Sequence, residues 1–303
     1  MLGVSEASVK RWADSGLLPM EKTAGGHRRF RPEDVAAVRR AGAGETAPPR
    51  LLQRAAVASD TGAAEAQLAP GREAELVEET FGALLDGRDE ELAALLVSLH
   101  LHGQSVGRIA DGFLCAAMRR VGDLWHAGRL SVAQEHVATR TASSALGKFR
   151  AALGAAAGGR ARALCCSVED DFHELPLRLA ALTLEAGGYA VFDLGTSTPF
   201  SAAAEALERF RPDLVCVSAT VLLSLDRAAR EYAGFERAAR RFGTKVVLGG
   251  AGFAGAGVRG RLPADLHAGS FVQLEEFIAA QAADAHGREA RAATGGGLNG
   301  LGG

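Results

Sequence analysis

Between residues 73 and 155 the hydrophobic positions recur at helical spacing. Leu76, Val77, Phe81, Leu84 and Leu85 mark a first amphipathic stretch, closed by Gly87, and Leu92, Leu95, Leu96 and Leu99 mark a second that ends near Gly103. Ile109, Phe113, Ala117, Val121 and Leu124 repeat mostly in fours, which predicts a long third helix ending at Gly128. Ser131 followed by Gln134 is a capping-box pattern, and it opens a fourth helix that runs to about Leu153. Four helices with short connections predict a four-helix bundle.

After the glycine-rich break at residues 154–159 the period shortens. Residues 163–168, 189–194, 214–218 and 246–248 are short apolar strands separated by helical segments, and a weaker fifth strand is expected around 266–271, before a helix over 274–283. Strands that alternate with helices predict a parallel sheet covered on both faces. Five such units over residues 160–286 fit a flavodoxin-like doubly wound domain, whose ligands sit outside the carboxyl ends of the strands. The fold class expected is therefore multidomain α and α/β.

Residues 1–40 are short of apolar runs and locally basic. Residues 41–72 turn to Ala, Gly, Pro and polar residues, including Pro48-Pro49 and Pro70-Gly71, and read as a linker. The end of the chain, residues 287–303, is glycine-rich and is expected to be disordered. The formal charge of −2 over 303 residues advertises no general affinity for nucleic acid, so any such signal must be local. Of the four cysteines, Cys165 and Cys166 are adjacent in an apolar run and Cys216 lies in another. Buried, reduced thiols facing opposite sides of a strand are expected, rather than a zinc site or a disulfide framework. No apolar run reaches the ~20 residues of a membrane span, and a cytoplasmic protein is expected.

The first strand of the α/β region runs into Glu169-Asp170-Asp171-Phe172-His173-Glu174-Leu175-Pro176. An Asp two residues before a His, at the ligand-bearing end of a strand, suits a metal ligand. The carboxylate can bond one ring nitrogen, fix the tautomer and raise the basicity of the other. Ser218-Ala219-Thr220 ends the third strand and Gly249-Gly250 the fourth, small residues beside which a bulky ligand could slide. Together these positions resemble the cobalamin-binding domain of methionine synthase and corrinoid proteins, with its Asp-x-His-x-x-Gly, Ser-x-Leu and Gly-Gly pattern. Asp171, His173, Ser218, Gly249 and Gly250 match; Pro176 replaces a glycine and Thr220 a leucine, and Pro176 puts the loop's geometry in question. The resemblance implies His173 as the lower cobalt ligand, Ser218 beside the cofactor's displaced base and the glycine pair along its tail.

In the helical region, Trp125 is followed after nine residues by Glu135-His136, with His126 directly after the tryptophan. This spacing resembles the cap of adenosylcobalamin-dependent photoreceptor regulators of the CarH or LitR type. It implies that Trp125, Glu135 and His136 surround the adenosyl group, and that His126 becomes the second cobalt ligand once light expels that group. Near the start of the chain, Ser8, Lys10, Arg11 and Trp12 lie on a short basic helix. Residues 23–30, with Gly25-Gly26 and Arg28-Arg29, read as a tight hairpin. This resembles the winged helix-turn-helix of MerR-type regulators, although only three residues precede the motif where most of a first helix is expected. The resemblance places Ser8, Lys10 and Arg11 in the major groove and Arg28 and Arg29 near phosphates.

The expected function is a cobalamin-binding transcriptional regulator, a light-responsive repressor with adenosylcobalamin as chromophore and a double-stranded operator as partner, and not an enzyme. The alternative is a corrinoid shuttle of a methyltransferase system, against which the basic N-terminal motif and the Trp125 to Glu135-His136 spacing argue. The resemblance also implies a homo-oligomer, with a tetramer in the dark. Support for that in the residues is weak, because Phe172 and Ser197 stand where some relatives use an Arg and an Asp to bridge subunits.

Overall fold

The computed structural model describes residues 21–22, 28–29, 72–154 and 161–295, divided into two units, residues 1–157 and 158–303. In the first unit, β1 (Glu21–Lys22) and β2 (Arg28–Arg29) pair antiparallel, Glu21 opposite Arg29 and Lys22 opposite Arg28. This is the hairpin expected from Gly25-Gly26. Ser8, Lys10 and Arg11 lie outside the described residues.

The helical part follows the hydrophobic spacing closely. Helix α1 (Arg72–Leu85) and α2 (Asp89–Leu101) bury Leu84, Leu92 and Leu96 almost completely. Each such leucine contributes about 1.5–3 kcal/mol relative to exposure. Helix α3 (Val106–Ile109), capped by Ser105, passes through a π-helical turn (Ala110–Leu114) into α4 (Cys115–His126). The turn explains the repeat in fours. On a 3.6-residue helix that spacing drifts off its face, and the wider π turn takes up the drift. Ile109, Phe113, Ala117 and Val121 are accordingly all buried. Helix α5 (Val132–Leu153) starts at the expected capping box: Gln134 N donates to Ser131 Oγ at 3.3 Å, and Ser131 N to Gln134 Oε1 at 2.9 Å.

The second unit is a five-stranded parallel sheet in the order β4-β3-β5-β6-β7. Its strands are β3 (Arg162–Ser167), β4 (Ala190–Asp193), β5 (Leu214–Ser218), β6 (Lys245–Gly249) and β7 (Leu266–Ala268). The weakly signalled fifth strand is β7, paired with β6. One face of the sheet packs Leu164, Cys166, Val217 and Leu248 against α7 (Phe200–Phe210) and α8 (Leu225–Phe242). The other packs Ala163, Cys165, Cys216 and Val247 against α6 (Glu174–Ala186) and α10 (Phe271–Gly295), the helix that follows the short α9 (Ala256–Arg261) and β7. Cys165 and Cys166 thus face opposite sides, as strand geometry requires; the neighbouring Cys216 thiol together with burial pushes the Cys165 thiol up, and burial pushes up that of Cys166. The backbone of α10 stays helical to Gly295, past the point where a disordered tail is expected; the Ala and Arg residues between Arg288 and Ala293 have good helix propensity.

Candidate functional site

At the carboxyl end of β3 the chain turns through Asp170, whose φ of 66° is unusual for a non-glycine residue. The buried Ser167 organises this turn, donating its hydroxyl to Asp171 O at 2.7 Å and accepting from Ser197 N at 3.0 Å. Ser197, itself at φ 53°, also donates its N–H to Asp171 O at 3.0 Å and accepts from Asp170 N on its hydroxyl at 3.1 Å. Two strained turns therefore hold each other in place. The sequence points to Ser197 only as a position where some relatives bridge subunits, and to Ser167 not at all, because nothing in residue type marks a serine as left-handed or as the organiser of a turn.

Asp171 is buried in the centre of this arrangement. Its Oδ1 lies 2.6 Å from His173 Nδ1 and accepts from His173 N at 3.1 Å, while its Oδ2 accepts from Thr220 N at 2.6 Å. Thr220, which stands where relatives carry leucine, donates its main-chain N–H to the Asp171 carboxylate and so ties the end of β5 to it. With Nδ1 directed at a carboxylate, the half-exposed imidazole keeps Nε2 for a metal. Pro176 does not disturb the loop. It is the third residue of α6, in a first turn whose N–H groups lack intrahelical partners in any case, so proline is accommodated there.

Ser218 sits between Ser167 and Gly249 in the register of the sheet, which puts the expected serine and the first glycine side by side. Gly250, at φ 103°, is required by packing: a Cβ there would lie 2.4 Å from Ala219 O. Gly249 is not, since a Cβ would meet only Ala268 at ordinary distance. Gly252, which the sequence does not mark, is also constrained, though less than Gly250: a Cβ there would fall 2.9 Å from that of Ala219 and 3.1 Å from its carbonyl oxygen. The loop's rim is apolar despite its exposure, with Phe172 72%, Leu223 70% and Val221 41% exposed.

In the helical unit, the connection from α4 to α5 brings out the second set. Trp125 is 42% exposed and its ring centroid lies 5.0 Å from that of His126, tilted by 52°. Glu135 accepts from Thr139 Oγ1 at 2.7 Å and lies 3.6 Å from His136 Nε2. Val132 and Val137 are exposed on the same stretch of helix.

The donor set fits a corrinoid. Among the described residues no group of three or more His, Cys, Asp or Glu converges on a metal. His173 is thus a lone imidazole, suited to a metal whose other ligands come from a macrocycle, and the exposed apolar rim suits a large flat ligand.

A B12 binding domain matches residues 76–149, a second B12 binding domain residues 161–265 and a helix-turn-helix domain residues 1–43. Two curated proteins of Myxococcus xanthus are similar along most of the chain. The HTH-type transcriptional repressor CarA is 29% identical over 83% of this chain and 84% of its own, and the HTH-type transcriptional repressor CarH 28% identical over 83% and 86%. Among solved structures, the Methanosarcina barkeri monomethylamine corrinoid protein superposes with a TM-score of 0.56 at 19% identity, covering 67% of this chain and 96% of that one, a likeness of fold alone. The chain is a helix-turn-helix protein with two B12 binding domains, similar over most of its length to the CarA and CarH repressors.

Proposed function

We propose that this chain is a cobalamin-binding transcriptional repressor that takes adenosylcobalamin and releases DNA in light. The observation that carries the reading is the buried Asp171 holding His173 by Nδ1 at the end of β3, in a chain that also has a helix-turn-helix domain. Bound adenosylcobalamin would supply a cobalt–carbon bond that green light breaks; the chain supplies ligand, enclosure and response.

Within this reading His173 Nε2 would hold the cobalt, with Asp171 fixing the tautomer. Ser218 receives the cofactor's displaced base, with Thr220 behind it, and Gly249 and Gly250 leave room for the tail. Trp125, Glu135 and His136 enclose the adenosyl group. His126 would be a second imidazole available to hold the cobalt. Residues 1–40 bind the operator, Ser8, Lys10 and Arg11 in the major groove and Arg28 and Arg29 at phosphates, and residues 41–72 link them to the cofactor-binding regions. Linkage between cofactor state and assembly, a homo-oligomer whose dark form is a tetramer, would convert the ligand change into DNA release. The protein acts in the cytoplasm.

The test is an absorption spectrum of the full chain reconstituted with adenosylcobalamin in the dark, then after green light, with DNA binding followed in parallel. A light-induced change of spectrum with loss of DNA binding is expected. A light-insensitive spectrum and no DNA binding would instead support the corrinoid shuttle.

A further inference from the structure

We infer that Arg227, on α8, is a positioning residue for the His173 loop; this rests on the reading of His173 as the cobalt ligand. Arg227 sits in the first turn of α8, where its N–H is bonded by Ser224 Oγ at 3.3 Å. Its guanidinium bridges Glu169 and reaches Asp170 at 3.2 Å and Glu231 at 3.8 Å. Glu169 and Asp170 are the two residues between Val168 and Asp171. One arginine therefore clamps both side chains of the turn that delivers the ligand pair.

The clamp falls where the backbone needs it. Asp170 holds φ 66°, a conformation costly for a residue with a Cβ unless its surroundings over-determine it. Its N–H is held by Ser197 Oγ from one side and its carboxylate by Arg227 from the other. Asp171 follows directly, so a turn that relaxes at Asp170 rotates the peptide from which Asp171 reaches His173 and Thr220. Glu169, Asp170 and Arg227 themselves line a small cleft of about 50 Å³, together with Val168, Phe200 and Leu222. An isolated ion pair this exposed contributes little, but here one cation serves three carboxylates and a strained residue.

The experiment compares full-length wild type, Arg227→Ala, Arg227→Lys, Asp170→Gly and the Arg227→Ala/Asp170→Gly double variant. Two readouts are used: amide hydrogen exchange over residues 168–175 without cofactor, and dark titration with adenosylcobalamin, the absorption spectrum reporting whether His173 is on cobalt. Arg227→Ala is expected to speed exchange in that segment and weaken cobalamin binding by about 5-fold or more, with a fraction lacking the His ligand, while global unfolding stays nearly unchanged. Arg227→Lys, which keeps the charge, should recover part of both. Asp170→Gly adopts the turn without strain, so Arg227→Ala should cost less in that background. Equal losses with and without Asp170→Gly, or unchanged exchange and His ligation in Arg227→Ala, would overturn the proposal. Failure of the wild type to bind cobalamin would instead overturn the His173 assignment and leave the exchange comparison to judge the clamp.

Discussion

Asp171 Oδ1 and His173 Nδ1 lie 2.6 Å apart, one in a fully buried carboxylate and the other on a ring 55% exposed. The buried partner accepts from two main-chain N–H groups as well, His173 N and Thr220 N. The imidazole is thus oriented by a group that solvent does not reach, and the exposed face of the ring is left for chemistry.

Replacing Asp171 should therefore do two things. Asp171→Asn keeps the shape and weakens the hold on Nδ1, and cobalamin affinity should fall about 10- to 100-fold, the range seen when such supporting groups are lost. Asp171→Ala also leaves the Thr220 N–H without its acceptor and should cost about 1–3 kcal/mol of stability. Dark titration and thermal unfolding measure the two effects. Wild-type affinity in Asp171→Asn would remove the carboxylate from the site.

The two glycines of the pair should separate. Gly250→Ala meets Ala219 O and a positive φ, and should destabilise the α/β unit by about 2–4 kcal/mol. Gly249→Ala meets no close atom of the protein, and its unfolding temperature should stay near wild type. If Gly249 lines the channel for the cofactor's tail, the same variant loses cobalamin affinity. A Gly249→Ala protein with unchanged affinity places the tail elsewhere.

His126→Ala should bind adenosylcobalamin in the dark like wild type, because the upper cobalt position is then held by carbon. The difference should appear on illumination, when an imidazole is a better ligand than water. Spectra and sedimentation before and after green light follow both. If the variant reaches the same bis-imidazole spectrum as wild type, His136 is the candidate that remains.

DNA binding should weaken steeply with salt. Lys10, Arg11, Arg28 and Arg29 lie in a chain of formal charge −2, so a local set of cations must release the counterions. Each Ala substitution at a phosphate-contacting position should reduce the slope of log K against log salt by about 1. Operator titrations at several salt concentrations measure it, and a slope unaffected by Arg28→Ala and Arg29→Ala would exclude these two from the phosphate contacts.

Much of the architecture was legible in the residues. The repeats at Leu76–Leu85 and Leu92–Leu99, the Ser131–Gln134 box and the strands through Cys165, Cys216 and Val247 report local periodicity, which depends only on near neighbours in sequence. The π-helical turn at Ala110–Leu114 left a trace in the spacing of four but not its cause. The second strained turn, at Ser197, left none.

What the sequence determined by itself was the order of helices and strands, the pairing of Asp171 with His173 and the presence of small residues at the strand ends. Each follows from a short segment whose periodicity or chemistry is self-contained. Tertiary structure decided how those residues are used. Thr220 serves through its main-chain N–H because β5 ends beside the β3 turn, Gly250 is obligatory because Ala219 O approaches it, and Gly249 is not. Arg227 meets Glu169 and Asp170 across 57 or 58 positions of sequence only because the first turn of α8 packs beside that loop. Contacts of that kind arise from the packing of separate elements, and no local pattern records them.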